Sequence, residues 1–374
     1  MTTEVDVDSA PEAQGFAANA SWLLAGQAIA KIASFALVII VTRGLSTLAY
    51  GEFSFAVSFV PLFLIVDTWG LDVSIFRGVG RDPRSISPLL ASGLAIRASL
   101  GAVAVAVAFG IGAFLVDGRE AFLTLVLIGI ALLIDECTSL LGVVFNAYER
   151  GSYYAFALLA NRILSTLLAL VAVMIGGDIV LVSVMYLVGS AGALLVAAWA
   201  LRRHFPRVRV RDVRRSTVVE LLRHGAPLGI ASALNMALFR IDATLLQVFD
   251  GPTAVGTYGI AYRFLDSFLF VAYALGVVAM PRIARSRWSR EAVEGFNWSL
   301  TGMLAFYIPV AIGGAFVAEW AVTLLFSSRY VSAASAVGWL TGAGLFYAIA
   351  YLCRMAIAGL GHRRSIVVVA AITL

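Results

Sequence analysis

Ten stretches of about 20–28 mostly apolar residues follow one another along this 374-residue chain, each long enough for a helix to cross a bilayer core of about 30 Å. No other feature restricts the fold as much. In hydrocarbon every backbone N–H and C=O must be satisfied within the protein, which leaves helices and closed barrels. Barrel strands would show roughly ten-residue alternating segments, and the sequence has none. Composition agrees: 61% of residues are apolar and 13% charged, with a mean hydropathy of +0.94. A water-soluble domain carries about a quarter charged residues. The expected fold class is therefore an all-α integral membrane protein.

The spans are expected near Asn19–Thr42, Phe53–Phe76, Pro88–Val116, Ala121–Tyr148, Tyr153–Ile175, Val180–Leu201, Gly225–Phe249, Ala254–Met280, Phe296–Phe316 and Ala333–Leu360, with an eleventh beginning near Ile366. Ser87 before Pro88 and Pro227 in a first turn read as helix starts, while Pro61 and Pro309 fall inside spans and should kink them. Residues 1–18 are acidic and read as a disordered tail. The first span is too long for a signal-peptide core and reads as uncleaved.

Arginine placement sets the orientation. Loops after even-numbered spans hold 18 arginines, among them Arg77, Arg150, eight from Arg202 to Arg223, and Arg363 with Arg364. Loops after odd-numbered spans hold Arg43, Arg119 and Arg329. Positive charge stays on the cytoplasmic side, so the amino terminus and the even loops are expected there. The net charge of +5 is thus a topology signal rather than a nucleic-acid footprint. The longest loop, residues 202–224, reads either as a plain basic linker or as an interfacial helix gripping anionic headgroups.

A weak duplication suggests two parallel, pseudo-symmetric six-helix bundles. Tyr50-Gly51 and Tyr258-Gly259 open the second and eighth spans, and Gly70 and Arg77 have rough counterparts in Gly276 and Arg282. The expected domains are 19–201 and 225–374 around the basic linker. By the length of the first half, the second bundle is expected to be truncated at Leu374. Cys137 and Cys353 lie in spans and read as packing residues, and His204, His224 and His362 fall in polar loops. Gly110 with Gly112, and Gly342 with Gly344, read as close helix contacts.

Three segments go beyond generic hydrophobicity. TRGLSTLAYGEFSFAVSFVPLFLIVDTWGLDVSIFRGVGR (42–81) contains an Arg, a Leu, a Tyr-Gly and a later Gly-Leu. The segment 223–285 contains a proline after a basic residue, Arg-x-Asp, Val-Gly-x-Tyr and a closing Met-Pro, and LLFSSRYVSAASAVGWL follows at 324–340. Together they resemble the polysaccharide-flippase branch of the multidrug/oligosaccharidyl-lipid/polysaccharide exporter superfamily, with Ser46 where glycine is usual. The resemblance implies a MATE-like fold and no cofactor. It also implies export of an undecaprenyl-diphosphate-linked oligosaccharide to the outer leaflet, in the company of a glycan polymerase or glycosyltransferases.

Charges inside the spans carry the mechanistic expectation, since each costs about 2.5–3.5 kcal/mol to insert and normally faces a cavity or a partner. A cationic chamber for a diphosphate is expected from Lys31, Arg162 and Arg240 with Arg97 and Arg263, because guanidinium forks bind phosphate oxygens bidentately. Lys31 is the sole lysine beside 26 arginines. Arg43 matches the family's arginine before the Leu and is assigned to an outer gate. Asp67, Asp242 and Asp266 are assigned as gate or charge partners; Arg263 and Asp266, three apart, could satisfy each other. Arg354, near a span end, reads as a snorkelling side chain. The nearest rival is a multidrug antiporter, although such exporters place a carboxylate in the first helix, which here holds Lys31 and no acid. A glycan polymerase or ligase is the alternative from another class; its catalytic groups would need an outer loop, and every outer loop here is short.

Overall fold

A computed structural model of the chain describes residues 16–82, 85–206, 208–285 and 290–359. Residues 1–15 of the expected tail, Arg84, Arg207, Arg287, Arg363, Arg364 and the eleventh apolar run lie outside the described residues. Among those described there is no strand, and eight helices are long and apolar enough to cross a membrane. Eleven helices follow in order: α1 Phe16–Gly44, α2 Thr47–Thr68, α3 Leu71–Arg81, α4 Ile86–Gly112, α5 Arg119–Ala147, α6 Gly151–Met174, α7 Ile179–His204, α8 Arg215–Asp250, α9 Pro252–Arg285, α10 Arg290–Phe326 and α11 Ala333–Gly359.

They form two compact units. The first holds residues 1–45 and 55–244, the second residues 46–54 and 245–374. In the first unit small residues line the helix contacts: Ala155, Ala157, Ala169 and Ala172 of α6, and Ala193, Ala197 and Ala200 of α7, are buried. Large apolar side chains such as Phe114, Leu195 and Met174 point outward. That inversion suits lipid as the surrounding solvent, where close backbone approach rather than hydrophobic burial holds helices together. In the second unit α9, α10 and α11 pack around Ala272, Met303, Tyr307, Ala348 and Leu352. The Tyr307 hydroxyl donates to the Phe268 carbonyl at 2.7 Å.

The two Tyr-Gly motifs meet inside the second unit. A Cβ on Gly256 would come within 2.9 Å of the Gly51 Cα, and one on Gly259 would overlap the Ser54 hydroxyl. Tyr50 is buried there and packs edge-on to Tyr330 at 5.8 Å.

The expected second span, Phe53–Phe76, needs correction. Its helix stops at Thr68, Trp69 (φ 31°) and Gly70 (φ 68°) turn the chain, and α3 begins at Leu71. A positive φ is ordinary for glycine but strained for tryptophan. The Trp69 indole N–H donates to the Leu222 carbonyl at 3.0 Å, which helps hold the turn. The short α3 is amphipathic, with Leu71, Ile75 and Val79 buried at four-residue spacing and Phe76, Arg77 and Arg81 exposed.

The basic loop differs as well. Arg202–His204 finish α7 and Arg215 already starts α8, so Gly225 and Pro227 lie within a continuous helix rather than at its start. What remains between them is pinned to the first unit. Phe205 packs among Phe145, Tyr148 and Tyr153 at 4.9–5.7 Å. Asp212 accepts from the Ser87 hydroxyl and from the Arg209 amide at 3.0 Å, and the Arg214 amide donates to Ser92 at 3.3 Å. Ser87 therefore ties down the linker, and α4 starts at Ile86 with Ser85 before it. Of the glycine pairs, Gly112 faces Leu125 and Gly344 faces Leu265, whereas Gly110 and Gly342 open onto free space.

Candidate functional site

The charged groups of the first unit separate into two clusters with opposite surroundings. The first lies at the α2–α3 break. Arg97 of α4 is fully buried, and its guanidinium reaches three helices. Nη2 donates to Asp72 of α3 at 3.0 Å, and Nη1 donates to the Glu136 backbone carbonyl of α5 at 2.9 Å with the Glu136 carboxylate at 3.9 Å. Nε stands 3.8 Å from Asp67 at the end of α2. Asp72 occupies the first turn of α3, where the helix N-terminus favours negative charge. One cation thus faces three carboxylates. Asp67 and Arg97 side chains are wholly buried, while those of Asp72 and Glu136 are 42% and 36% exposed.

The second cluster lies between α1, α5, α6 and α7. Arg162 of α6 is half-buried and donates to the Tyr186 hydroxyl of α7 at 2.9 Å. The neighbouring Asn161 amide donates to Asp135 of α5 at 2.6 Å, and Asp135 is within electrostatic range of Arg162. Lys31 is exposed on α1. A Cβ on Gly26 would overlap Ala155, the Thr166 hydroxyl donates to the Ala33 carbonyl at 3.0 Å, and Gly44 abuts Val173. These pairs rise together along both chains, so α1 and α6 run side by side in the same direction. Lys31 and Arg162, each bracketed by the first two pairs, therefore sit at one level.

The remaining residues singled out in the sequence are placed as follows. Arg43 is exposed in the last turn of α1. Arg240 and Asp242 are half-buried on α8 within the first unit, and the Asp242 carboxylate accepts from the Ala243 amide at 2.7 Å. In the second unit Arg263 of α9 lies beside the Tyr50 hydroxyl and Asp266 lies within electrostatic range of Tyr273. The suggested Arg263–Asp266 pair does not form: among the described residues no ion pair joins them within 4.0 Å. Arg354 stacks over Tyr347 at 5.2 Å. Sequence reasoning missed Asn161 and Tyr186, and it noted Tyr50 only as part of the repeated Tyr-Gly, not for its hydroxyl. A signal was available, since each is a hydrogen-bonding side chain within a long apolar run.

Buried ion clusters and small-residue contacts between long apolar helices mark the chain as a polytopic helical membrane protein. Solved structures of that class match its fold. An inward-facing multidrug resistance MATE family transporter of the MOP superfamily gives a TM-score of 0.69 at 16% identity, covering 91% of this chain and 83% of that one. The lipid II flippase MurJ in its inward closed conformation gives 0.71 at 15% identity, covering 93% and 78%.

The family described as "Polysaccharide biosynthesis protein" matches residues 16–287, and the chain belongs to it. An uncharacterized membrane protein of Methanocaldococcus jannaschii is 23% identical over 172 residues, 44% of this chain and 34% of that protein. The chain is a multi-pass membrane protein with a MATE-like fold.

Proposed function

We propose that this protein carries an anionic, lipid-linked oligosaccharide across the cell membrane by alternating access, with Lys31 and Arg162 among the groups that receive its phosphates. One observation carries the reading: two cationic side chains occupy one level of adjacent helices, and Arg162 there donates to a tyrosine hydroxyl rather than to a carboxylate. Arg240 and Arg263 complete the proposed set, with Arg43 at the outer gate and Asp242 and Asp266 as charge partners. Arg97, enclosed by Asp67, Asp72 and Glu136, is left out of the substrate set. The amino terminus is placed in the cytoplasm by the arginine bias. The diphosphate carrier lipid, glycosyltransferases and a glycan polymerase are its proposed partners. An anion of charge −2 moving outward gains about 4.6 kcal/mol per 100 mV from an inside-negative potential, which biases export.

The test is flipping of undecaprenyl-diphosphate-linked oligosaccharide in proteoliposomes. A hydrogen bond to a charged group contributes roughly 1.5–3 kcal/mol, so Lys31→Ala, Arg162→Ala and Arg240→Ala should each slow flipping by about tenfold or more at unchanged protein level. Full rates in all three would overturn the reading. The acid surplus around Arg97 favours a second reading, export of organic cations by a multidrug antiporter. Efflux of a fluorescent cation with no oligosaccharide flipping would select it.

A further inference from the structure

We propose that Asp67 is a proton-exchange site, and that its proton decides which side of the α2–α3 break holds Arg97. The proposal deepens the transport reading by naming a coupling group, and it stands on the geometry of one cluster. Asp67 is wholly buried, and neither of its carboxylate oxygens has a hydrogen-bond donor. The Arg97 Nε that faces it is also without a hydrogen-bond acceptor, and the 3.8 Å between them exceeds hydrogen-bond length. The same guanidinium gives its hydrogen bonds elsewhere, to Asp72 at 3.0 Å and to the Glu136 carbonyl at 2.9 Å.

The groups that face Asp67 make the exchange intelligible. They are Asp72 from α3, Arg97 from α4, and Glu136 and Cys137 from α5. Three carboxylates around one guanidinium leave two uncompensated negative charges. A buried carboxylate with no donor sheds its charge by binding a proton rather than remaining an ion. The other two acids are partly exposed, which offers a proton a route to the buried position by way of Asp72 or Glu136. The far side of Asp67 is closed by α4, where a Cβ on Gly101 would stand 2.9 Å from Oδ2.

The consequence is mechanical. Asp67 ends α2 and Asp72 begins α3, so Arg97 has one acid on each side of the strained Trp69-Gly70 turn. Arg97 holds Asp72 here, the arrangement expected with Asp67 neutral. When the proton leaves, Asp67 becomes a buried anion 3.8 Å from Nε, and the guanidinium is drawn toward it and away from α3. Proton occupancy is thereby coupled to the angle between two helices.

The deciding measurement is infrared difference spectroscopy of the full-length protein in nanodiscs across a pH titration, with no substrate present. A protonated-carboxyl band should disappear as pH rises in the wild type, be absent in Asp67→Asn, and persist in Asp72→Asn. A band unchanged by Asp67→Asn would overturn the proposal. Asp67→Asn mimics the neutral side chain in size, so it should fold, which hydrogen exchange of α3 confirms independently. In the transport assay, wild-type rates should vary with pH, by up to about tenfold per unit on the flank of a one-proton titration. Asp67→Asn should flatten that profile, and a profile retaining its wild-type slope would also overturn it. The infrared band needs no cargo, so its presence together with failed oligosaccharide flipping would discard the cargo assignment and leave the proton site standing.

Discussion

Arg97 and Arg162 are the same residue type, each about midway along an apolar helix of one unit, yet their surroundings are opposite. Arg97 is sealed among three acids contributed by α2, α3 and α5. Arg162 is half-buried, bonded to a neutral hydroxyl, and level with the chain's sole lysine. The difference teaches that the insertion cost of a charge identifies residues that need a partner and says nothing about who the partner is. A guanidinium among three carboxylates organises the protein; Arg162, with one carboxylate, Asp135, in electrostatic range and its hydrogen bond given to a neutral hydroxyl, keeps more positive charge to offer a ligand.

The largest effect that would sharpen this contrast is expected at Arg97. Replacement by leucine leaves buried acid without its cation and should cost about 3–5 kcal/mol of stability, read as a lowered unfolding midpoint in nanodiscs. Adding Asp67→Asn should restore part of it, because one of the stranded acids is then neutral. Arg162→Ala should cost less, about 1.5–3 kcal/mol for one hydrogen bond to a charged group, while affecting transport strongly. Equal losses for the two arginines would break the comparison. Smaller still is Trp69→Phe, which removes the indole bond to Leu222 and should cost about 1 kcal/mol, visible as faster hydrogen exchange at the start of α8. At the bottom of the series is the exposed Arg290–Glu294 pair at 3.1 Å. Arg290→Ala should change stability by less than about 0.5 kcal/mol, since water already solvates both charges. A larger loss there would mean that exposure is not what separates these arginines.

The sequence made the transmembrane helices legible because hydrocarbon length is a property of the bilayer, and runs of apolar residues must match it wherever they pack. Ends such as Ala333 of α11, Ile179 of α7 and Gly151 of α6 fell within two residues of expectation. The break at Trp69-Gly70 was missed because α3 opens with Leu71, Val73, Ile75 and Phe76, which read as the end of the same apolar run, so that only the backbone angles reveal the turn. The start of α8 was missed for the converse reason, since a helix leaving the membrane turns arginine-rich and looks like a loop.

The charged clusters show the same division. That Lys31, Asp67, Arg97 and Arg162 required partners was determined by the sequence alone, because no ionised group rests in lipid unaccompanied. Which partners they found was decided by tertiary packing. Asp72, Glu136 and Tyr186 come from helices 24–39 residues away in the chain, and electrostatic pairing depends on separation in space. Helix packing sets that separation, and it made a closed acid cage of one arginine and left the other turned toward a hydroxyl.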